Sequence, residues 1–523
     1  QAIAYADIAG LPPQAGLAAA AAGLVGYALL GTSRQLIVSP TSSTAAISAS
    51  LVATIAAGDP SRSGELSSAL AIVVGIAFLS FGLLKLGFIA RFIPAGVQIG
   101  FLFGLGLTII IGQLTKVLGI PGTSGSFVQQ LGQFVAGLGE INGWTVAVGA
   151  TALAVLLVAR RVAPALPAAL IVVIGGIAAV YLLDLASKGV EVIGTVPGGV
   201  PLPALPLVTA AELLALVPGA VAISVVGSAE SLTVAQQFAD EHREEIVPDQ
   251  ELIANGGSNV LAGLFQGFIV AGGASQSAAS DAAGARSQLV SIVVAVLVVV
   301  TSVALLPLFT DLPQAVLGAI VISAVLGFVR IDEVRRVRVL RRDTYGIALF
   351  ALVTTLLLGI LPGLMIAVGL SLILLLVRLA RPFVATLGRA PGMAGWVAVT
   401  REPGAMPIPG VLALRLEAPL LFLNAGLLRD HVRATLAATE PRPRIVILDL
   451  SMTPDLDVES LDILVRLGDH VREADAELWL AEVRGPVAAV LRRAGLVEDG
   501  PFRTFRTMAD AASAAEAPRD GAP

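Results

Sequence analysis

Long apolar stretches separated by short polar breaks fill the chain up to about residue 382, and beyond it charged residues recur every few positions. A helix that crosses the hydrocarbon core of a bilayer needs roughly 20 mostly apolar residues. We therefore predict a polytopic α-helical membrane domain over residues 1–381, with about 14 spans. The predicted spans are 1–10, 14–31, 40–56, 66–85, 92–115, 143–160, 164–185, 211–238, 251–267, 274–284, 285–309, 313–329, 343–360 and 362–380.

The charged C-terminal part has the pattern of a small α/β domain over residues 410–515. Strand-like runs alternate there with amphipathic helical patterns, which favours an open sheet with helices packed on it. Residues 382–409 contain Gly and Pro and are predicted to form a linker. The Ala-, Glu- and Pro-rich end, which begins near Ala511, is predicted to be a disordered tail, assigned to residues 516–523. The predicted strands are 411–416, 445–450 and 477–483, and the predicted helices are 426–438, 459–474 and 486–494.

The distribution of Lys and Arg between the predicted loops indicates the orientation of the chain. Loops on one side hold fifteen of these residues, six of them between Arg330 and Arg342, whereas the opposite loops hold only Arg62, Lys116 and Lys188. Basic loops face the cytoplasm. We therefore expect a multi-pass protein of the inner (plasma) membrane. Both ends of the chain, and the C-terminal domain, are expected to lie in the cytoplasm.

The composition agrees with this assignment and excludes several other classes of protein. The chain is 56% hydrophobic and 14% charged, whereas a soluble chain is about a quarter charged. A net charge of −5 argues against a nucleic-acid partner. There is no cysteine, and the three histidines show no metal-ligand spacing, so no metal site and no cofactor are predicted. The chain begins inside an apolar segment, and we expect the first span to be incomplete.

Glu230 is the strongest candidate for chemistry inside the membrane. It follows a long apolar run and lies among the small polar residues Ser228, Ser231 and Thr233. An isolated charge at mid-membrane costs roughly 2.5–3.5 kcal/mol on insertion scales. A carboxyl group there is therefore a candidate for exchanging a proton. The alternative is a glutamate at a helix end, or one that is hydrogen-bonded for packing. Asp7 and Asp281 are weaker candidates for such chemistry, because each is expected either to face water-filled space or to cap a helix.

Two short, hydroxyl-rich segments are the candidates for binding an anion. The first is residues 39–44, Ser-Pro-Thr-Ser-Ser-Thr, and the second is residues 272–280, which contain Ser275, Gln276 and Ser277. A helix that begins at mid-membrane directs unpaired N–H groups towards whatever precedes it, which makes an anion site without a cationic side chain. Each segment alone is equally compatible with an ordinary N-cap or with helix packing. Corresponding interrupted segments in two halves of a chain are typical of inverted-repeat transporters.

Ordered motifs along nearly the whole chain resemble the SulP anion transporters. The C-terminal part resembles the STAS domain that these transporters carry, because Leu448-Asp-Leu-Ser is followed by Asp455-Leu-Asp-Val. The matching membrane-domain motifs are QAIAYADIAGLPPQAGL at 1–17, LGFIARFIPAGVQIGF at 86–101, VIGTVPGGVPLP at 192–203 and LPQAVLGAIVI at 312–322.

The resemblance implies a 7+7 inverted repeat with a core domain and a gate domain, and a homodimer. It implies that the anion lies between the half-helices of spans 3 and 10, and that the side chains matching the first-span Gln and Tyr line the same pocket. The substrate-binding residues expected on this basis are Gln1, Tyr5, Thr41, Ser42, Ser43, Ser275, Gln276 and Ser277.

The sequence departs from the family pattern at three positions. Many relatives carry an Arg in span 10 where this chain has Gln276, and sodium-coupled bicarbonate relatives have Asp where Glu230 stands. The side chain of Glu230 is longer than that of Asp, and Gln276 supplies no fixed positive charge beside the site. This combination favours entry of a proton together with the anion. In the STAS domain, Val458 follows Asp457, where regulatory relatives have a phosphorylatable Ser.

We therefore expect a secondary active transporter that works by alternating access and proton-coupled symport. Its expected substrate is a small anion, either a dicarboxylate such as fumarate or else sulfate. The alternatives on the same scaffold are sodium-coupled bicarbonate transport and an uncoupled exchanger or channel. An enzyme is not expected, because no nucleophile–base pair has workable spacing and no phosphate-binding loop occurs in the sequence.

Overall fold

A computed structural model describes residues 1–56, 59–88, 94–123, 126–163, 166–194, 198–199, 201–391, 395–402, 404–497 and 500–517. The chain divides into two compact units, residues 1–371 and residues 372–523. The starts of the predicted spans 92–115 and 164–185, and the end of the predicted tail from 518 onwards, lie outside the described residues.

The first unit is helical, and each of the 14 predicted spans coincides with one helix of the described chain. Among the described residues, eight helices are long and apolar enough to cross a membrane, and α3 and α8 are shorter apolar helices. The helices of the first half are α1 (Ala2–Ile8), α2 (Pro13–Leu30), α3 (Ser42–Ile55), α4 (Ser63–Leu83), α5 (Ala95–Leu118), α6 (Phe127–Gly137), α7 (Gly143–Val162) and α8 (Ala168–Leu183). Those of the second half are α9 (Ala210–His242), α10 (Pro248–Leu264), α11 (Ala274–Ala282), α12 (Leu289–Val300), α13 (Gln314–Val325), α14 (Ile331–Leu340), α15 (Arg342–Leu358) and α16 (Ile360–Ala380), whose last residues belong to the second unit.

These helices pack as two bundles. In the core bundle, α10 lies against α2 and α4, α12 lies against α2, and α9 lies against α3 and α4. In the gate bundle, α5 packs against α7, α13 and α15. Small residues allow the closest approach, because a Cβ atom added to Gly75 of α4 would lie 2.8 Å from the carbonyl oxygen of Gly256 of α10. Such contacts are typical of helix packing in a bilayer.

Two short strands join the halves of the core bundle. Strand β1 (Val38–Ser39) pairs antiparallel with β2 (Ala271–Gly272), and each strand leads into a short helix, α3 or α11. The Gly273 N–H donates to the Ile37 carbonyl at 2.9 Å, which extends the pairing. The starts of the two interrupted helices are therefore held side by side, as the inverted-repeat pattern predicts.

The second unit contains a six-stranded sheet of order β4-β3-β5-β6-β7-β8, in which β5 to β8 run parallel and β3 pairs antiparallel with β5. The three predicted strands and three predicted helices are all present. The strands are β3 (Val384–Arg389), β4 (Trp396–Ala398), β5 (Val411–Leu416), β6 (Ile445–Asp449), β7 (Glu477–Ala481) and β8 (Arg503–Thr504). The helices are α17 (Phe422–Ala438), α18 (Val458–Glu473), α19 (Gly485–Arg493) and α20 (Met508–Glu516).

Two of the predicted boundaries differ from this structure. The predicted linker, 382–409, contains β3 and β4, because Ala385 and Leu387 of β3 are fully buried in the apolar layer of the sheet. The Ala-rich end is helical as far as Glu516, because Met508, Ala511 and Ala512 pack into the same layer. Both segments look loop-like in sequence, and each is ordered by packing against the sheet.

Candidate functional site

The N-terminus of α3 is formed by a run of buried hydroxyl residues. Thr41 is the N-cap, and its hydroxyl accepts from the Thr44 N–H at 3.3 Å while the Thr41 N–H donates back to the Thr44 hydroxyl at 3.2 Å. The hydroxyl of Thr41 therefore completes a capping box. Ser42 and Ser43 occupy the first turn, where backbone N–H groups have no partner within the helix. The prediction that this helix start binds an anion through N–H groups and hydroxyls stays a prediction.

Glu230 of α9 lies directly beside this helix start. The Ser43 hydroxyl is 2.8 Å from Glu230 Oε2 and 3.1 Å from Oε1, and it donates to this carboxylate. Within the described part of the chain, no Lys, Arg or His forms an ion pair with Glu230. A carboxylate without a countercharge at an anion site repels the anion unless it takes up a proton.

The N-terminus of α11 lies opposite and carries the other predicted residues. Ser275 is exposed, and Gln276 is half-buried with its Nε2 3.4 Å from the Pro40 carbonyl oxygen. The Gln276 Oε1 is buried and has no hydrogen-bond partner among the described residues. Gln276 therefore links the two half-helices through its Nε2 donor, and its free oxygen can only accept a hydrogen bond. The prediction that Gln276 binds the substrate stays a prediction.

Ser277, which was predicted to bind the substrate, lies against the segment that precedes β1. It is fully buried, and its hydroxyl accepts from the Ile37 N–H at 2.9 Å. That bond ties α11 to the residue before β1. Ser277 therefore links the two half-helices by accepting this bond, and the prediction that its hydroxyl contacts the substrate stays a prediction.

The two predicted residues of the first span lie one helical turn apart, and the Tyr5 N–H donates to the Gln1 carbonyl at 2.9 Å. Tyr5 is buried in an apolar cluster with Ala45 of α3 and Val234 of α9, so it lies where the two site helices meet. Gln1 precedes α1 and is exposed. The prediction for both residues stands as made, with Tyr5 the nearer of the two to elements of the site.

Ser231, Asn255 and Asn259 hold the two strands, and the two Asn residues among them were not predicted from the sequence. The Ser231 hydroxyl, one residue after Glu230, accepts from the Gly272 N–H at 2.9 Å and donates to Asn255 at 3.1 Å. Asn259 accepts from the Val270 N–H at 3.0 Å and donates to the Val270 carbonyl at 2.9 Å. Two Asn residues four positions apart lie on one helix face, and this spacing was the available signal.

A second buried carboxylate, Glu251 of α10, was also missed. It is fully buried and accepts four hydrogen bonds, from the hydroxyls of Tyr27 and Thr32 and from the backbone N–H groups of Thr32 and Ser33. It therefore holds the segment that leads from α2 into β1. In the sequence, Glu251 has the usual appearance of an acidic residue in the first turn of a helix.

A cavity of about 750 Å³ opens along the part of α9 that follows Glu230; we call it the inner cavity. Thr233, Gln237 and Asp240 follow Glu230 at helical spacing and line it together with Lys85 and Asp249. A face of a membrane helix with such residues is expected to contact water. The loops at this end belong to the side with most Lys and Arg.

Two helical bundles, with two half-helices paired at their starts by β1 and β2, define the fold of a polytopic helical membrane transporter. Murine Solute Carrier 26 family member A9, solved in the inward-facing state, matches with a TM-score of 0.90 over 99% of this chain and 89% of that chain, at 21% identity. The transmembrane domain of the cyanobacterial bicarbonate transporter BicA matches with a TM-score of 0.62 over 71% of this chain and 92% of that chain, at 22% identity. At these identities the likeness shows the fold alone.

The chain belongs to the sulfate permease family, whose model matches residues 1–352, and the STAS domain model matches residues 404–511. A protein named a probable sulfate transporter of Mycobacterium tuberculosis is 35% identical over 98% of this chain and 92% of its own length. A chloroplastic sulfate transporter of Arabidopsis thaliana is 29% identical over 95% of this chain and 75% of its own length. The predicted family, fold and anion-transporter class are thereby confirmed.

Proposed function

We propose that this protein is a proton-coupled symporter of a small dianion, in which Glu230 carries the proton. The observation that carries the proposal is the hydrogen bond between Ser43 and Glu230, which joins a carboxylate to the start of the anion-binding helix α3. When the anion approaches, a charged Glu230 opposes it, and a neutral Glu230 does not. Binding of the anion and uptake of the proton therefore favour each other, which is the thermodynamic requirement for symport.

Gln276 supports coupling over simple anion conduction. A fixed cation in its place would balance the charge of the anion at every pH, and no proton would be needed. With a neutral amide at this position, the positive contribution comes from two helix N-termini, each equivalent to about half an elementary charge. A dianion then leaves an excess of negative charge, and protonation of Glu230 reduces it.

Sulfate is the first substrate that we propose, because relatives that align with nearly the whole chain are named sulfate transporters. Fumarate is the second, because the hydroxyl-lined centre offers donors to a carboxylate as well as to a sulfate oxygen. Sodium-coupled bicarbonate transport is the competing proposal, and it is favoured by the carboxyl group of Glu230, which stands where sodium-coupled bicarbonate relatives have Asp.

The test is uptake of labelled sulfate, fumarate and bicarbonate into proteoliposomes, with and without an inward proton gradient and with sodium replaced by choline. We expect the gradient to stimulate uptake of one anion, and Glu230→Gln to abolish that stimulation while anion exchange across the membrane continues. Glu241→Gln is the matched control, since it removes an exposed carboxyl group from the same helix. Stimulation that survives in Glu230→Gln excludes this carboxyl group as the coupling group, and stimulation by sodium alone supports the bicarbonate proposal.

A further inference from the structure

A second polar cavity, of about 600 Å³, lies between the two bundles and is separate from the inner cavity. Its walls come from α1 and α3 of the core bundle and from α5, α6 and α15. It reaches the last turns of α1 and α5, in the region that the Lys and Arg distribution assigns to the outer side. We call it the outer cavity. Residues Ala46, Ala49, Ser50 and Ala53 of α3 line it, so it extends along the helix whose first turn forms the anion centre.

One ion pair crosses the outer cavity. The Lys116 ammonium group of α5 donates to Oδ2 of Asp7 in α1. Both side chains are partly exposed, 22% for Lys116 and 30% for Asp7. Among the described residues that line this cavity, these two alone carry a formal charge. These two charges therefore determine the electrostatic attraction or repulsion that a charged solute meets in this cavity.

The surroundings of Lys116 suit a second ligand. Gln113 lies one turn earlier in α5 and is 7% exposed, and its Oε1 has no hydrogen-bond partner in the described structure. Its amide group can therefore turn to present its N–H donors. A lysine has a flexible stem and three donors, so its ammonium group can exchange one anionic partner for another without moving the backbone.

We propose that Lys116 is an entry site for the transported anion. Asp7 forms an ion pair with the lysine until the anion displaces the Asp7 carboxylate. An anion that enters the outer cavity meets a cation there, whereas the centre between α3 and α11 offers only hydroxyls, amides and helix N-termini. Displacement of Asp7 also breaks an ion pair between the core and gate bundles. The two charges thus attract anions and join the two bundles when no anion is bound.

The test is a pair of neutralised variants with opposite expected effects. External KM for the anion is measured by anion exchange in intact cells that express the full chain, without a proton gradient, so that the result does not depend on the proposed coupling. Lys116→Gln is expected to raise this KM about threefold or more, because the attracting charge is lost. Asp7→Asn is expected to lower it, because the lysine no longer has a competitor. Lys116→Arg should retain most of the affinity.

Two comparisons separate this proposal from a merely structural ion pair. In the double variant Asp7→Asn with Lys116→Gln, KM should equal that of Lys116→Gln alone, because Asp7 acts through the lysine. Lys188→Gln, which removes a cation that lies over Trp144 outside this cavity, should leave KM unchanged. If Asp7→Asn and Lys116→Gln shift KM in the same direction, the pair only joins the bundles and the proposal is wrong. If neither differs from Lys188→Gln, Lys116 does not bind the anion.

Discussion

The Tyr27 hydroxyl donates a 2.5 Å hydrogen bond to Glu251, a residue 224 positions later in the chain. Tyr27 belongs to α2 and Glu251 to α10, and both are fully buried. The carboxylate has no ion-pair partner among the described residues, so hydrogen bonds alone compensate its burial. A buried charge satisfied in this way is sensitive to the loss of any one donor.

We expect Tyr27→Phe to lower the free energy of unfolding by about 1–3 kcal/mol, because it leaves Oε2 of the buried Glu251 carboxylate without its hydrogen-bond donor. The measurement is thermal unfolding of the purified protein in detergent. Tyr181→Phe is the control, since Tyr181 is 80% exposed. Equal melting temperatures for the two variants would show that the Tyr27 hydroxyl does not stabilise the fold.

Ser43→Ala should impair coupled transport more than it impairs folding. It removes the only side-chain hydrogen bond that the described structure gives to Glu230, and it removes one hydroxyl from the anion centre. We expect KM to rise about tenfold, the equivalent of one hydrogen bond to a charged group. Ser48→Ala is the control, because Ser48 is buried in the same helix and its hydroxyl has no partner in the described part of the chain. A KM that changes equally in both variants would place Ser43 outside the centre.

Gln276→Arg should convert coupled transport into transport that does not respond to a proton gradient. The introduced guanidinium group would supply a permanent positive charge beside the Pro40 carbonyl, where the Gln276 amide now lies. We expect anion affinity to increase about tenfold and stimulation by the gradient to disappear. Gln276→Asn keeps the neutral amide and should keep the stimulation. Uptake by Gln276→Arg that still follows the gradient would argue against the charge-balance explanation.

The boundary of the STAS domain is testable with two fragments. Residues 382–523 contain β3 and β4, whereas residues 410–523 begin at the next strand. Without β3, the edge of β5 loses its antiparallel partner, and the buried face formed by Ala385 and Leu387 is lost. We expect the longer fragment to be soluble and to unfold cooperatively, and the shorter one to aggregate. A shorter fragment with the same melting temperature would restore 382–409 as a linker.

The hydrogen bonds to Asp457 indicate that the stability of the STAS domain depends on pH. Burial opposes its ionisation, but the backbone N–H groups of Ser460 at 2.7 Å and Phe422 at 2.9 Å prevail and hold the pKa of Asp457 below its ordinary value. A lowered pKa in the folded state means that the ionised group stabilises the fold above about pH 4, and that this stabilisation is lost on acidification.

The measurement for Asp457 is thermal unfolding of residues 382–523 between about pH 3 and pH 7. At neutral pH, Asp457→Ala should cost about 1 kcal/mol, as expected for loss of the N-cap of α18. Asp457→Asn should lose less stability than the wild type between neutral and acid pH. Asp469→Asn is the control, because Asp469 forms only an exposed pair with Arg472. Parallel pH profiles for the wild type and Asp457→Asn would contradict the prediction.

The helices of the membrane domain were predictable because the bilayer requires long apolar segments, and this requirement is visible in one dimension. Helices α6 and α14 were missed because α6 is short and amphipathic and α14 is rich in Arg, and neither resembles a span. Strands β1 and β2 have two residues each, which is too few for any periodic pattern.

The candidate site was predictable to the level of its segments. Ser43 and Glu230 were both identified from their polarity in an apolar context, but their contact spans 187 positions, and only the fold brings them together. The roles of Ser277 and Glu251 depend on partners far away in the sequence, mostly in the segment between α2 and β1, which sequence spacing does not reveal. The order of 382–409 likewise results from tertiary packing in the sheet.

The pairing of β1 with β2 has a consequence for which anions can be carried. Backbone hydrogen bonds and the Ser277 hydroxyl tie together the residues just before α3 and α11. We therefore expect the starts of the two half-helices to move as one unit, so that the space between them limits the size of the anion more strictly than a loop-lined pocket would. Substitutions of Ser43 or Gln276 should then change charge preference without changing this size limit.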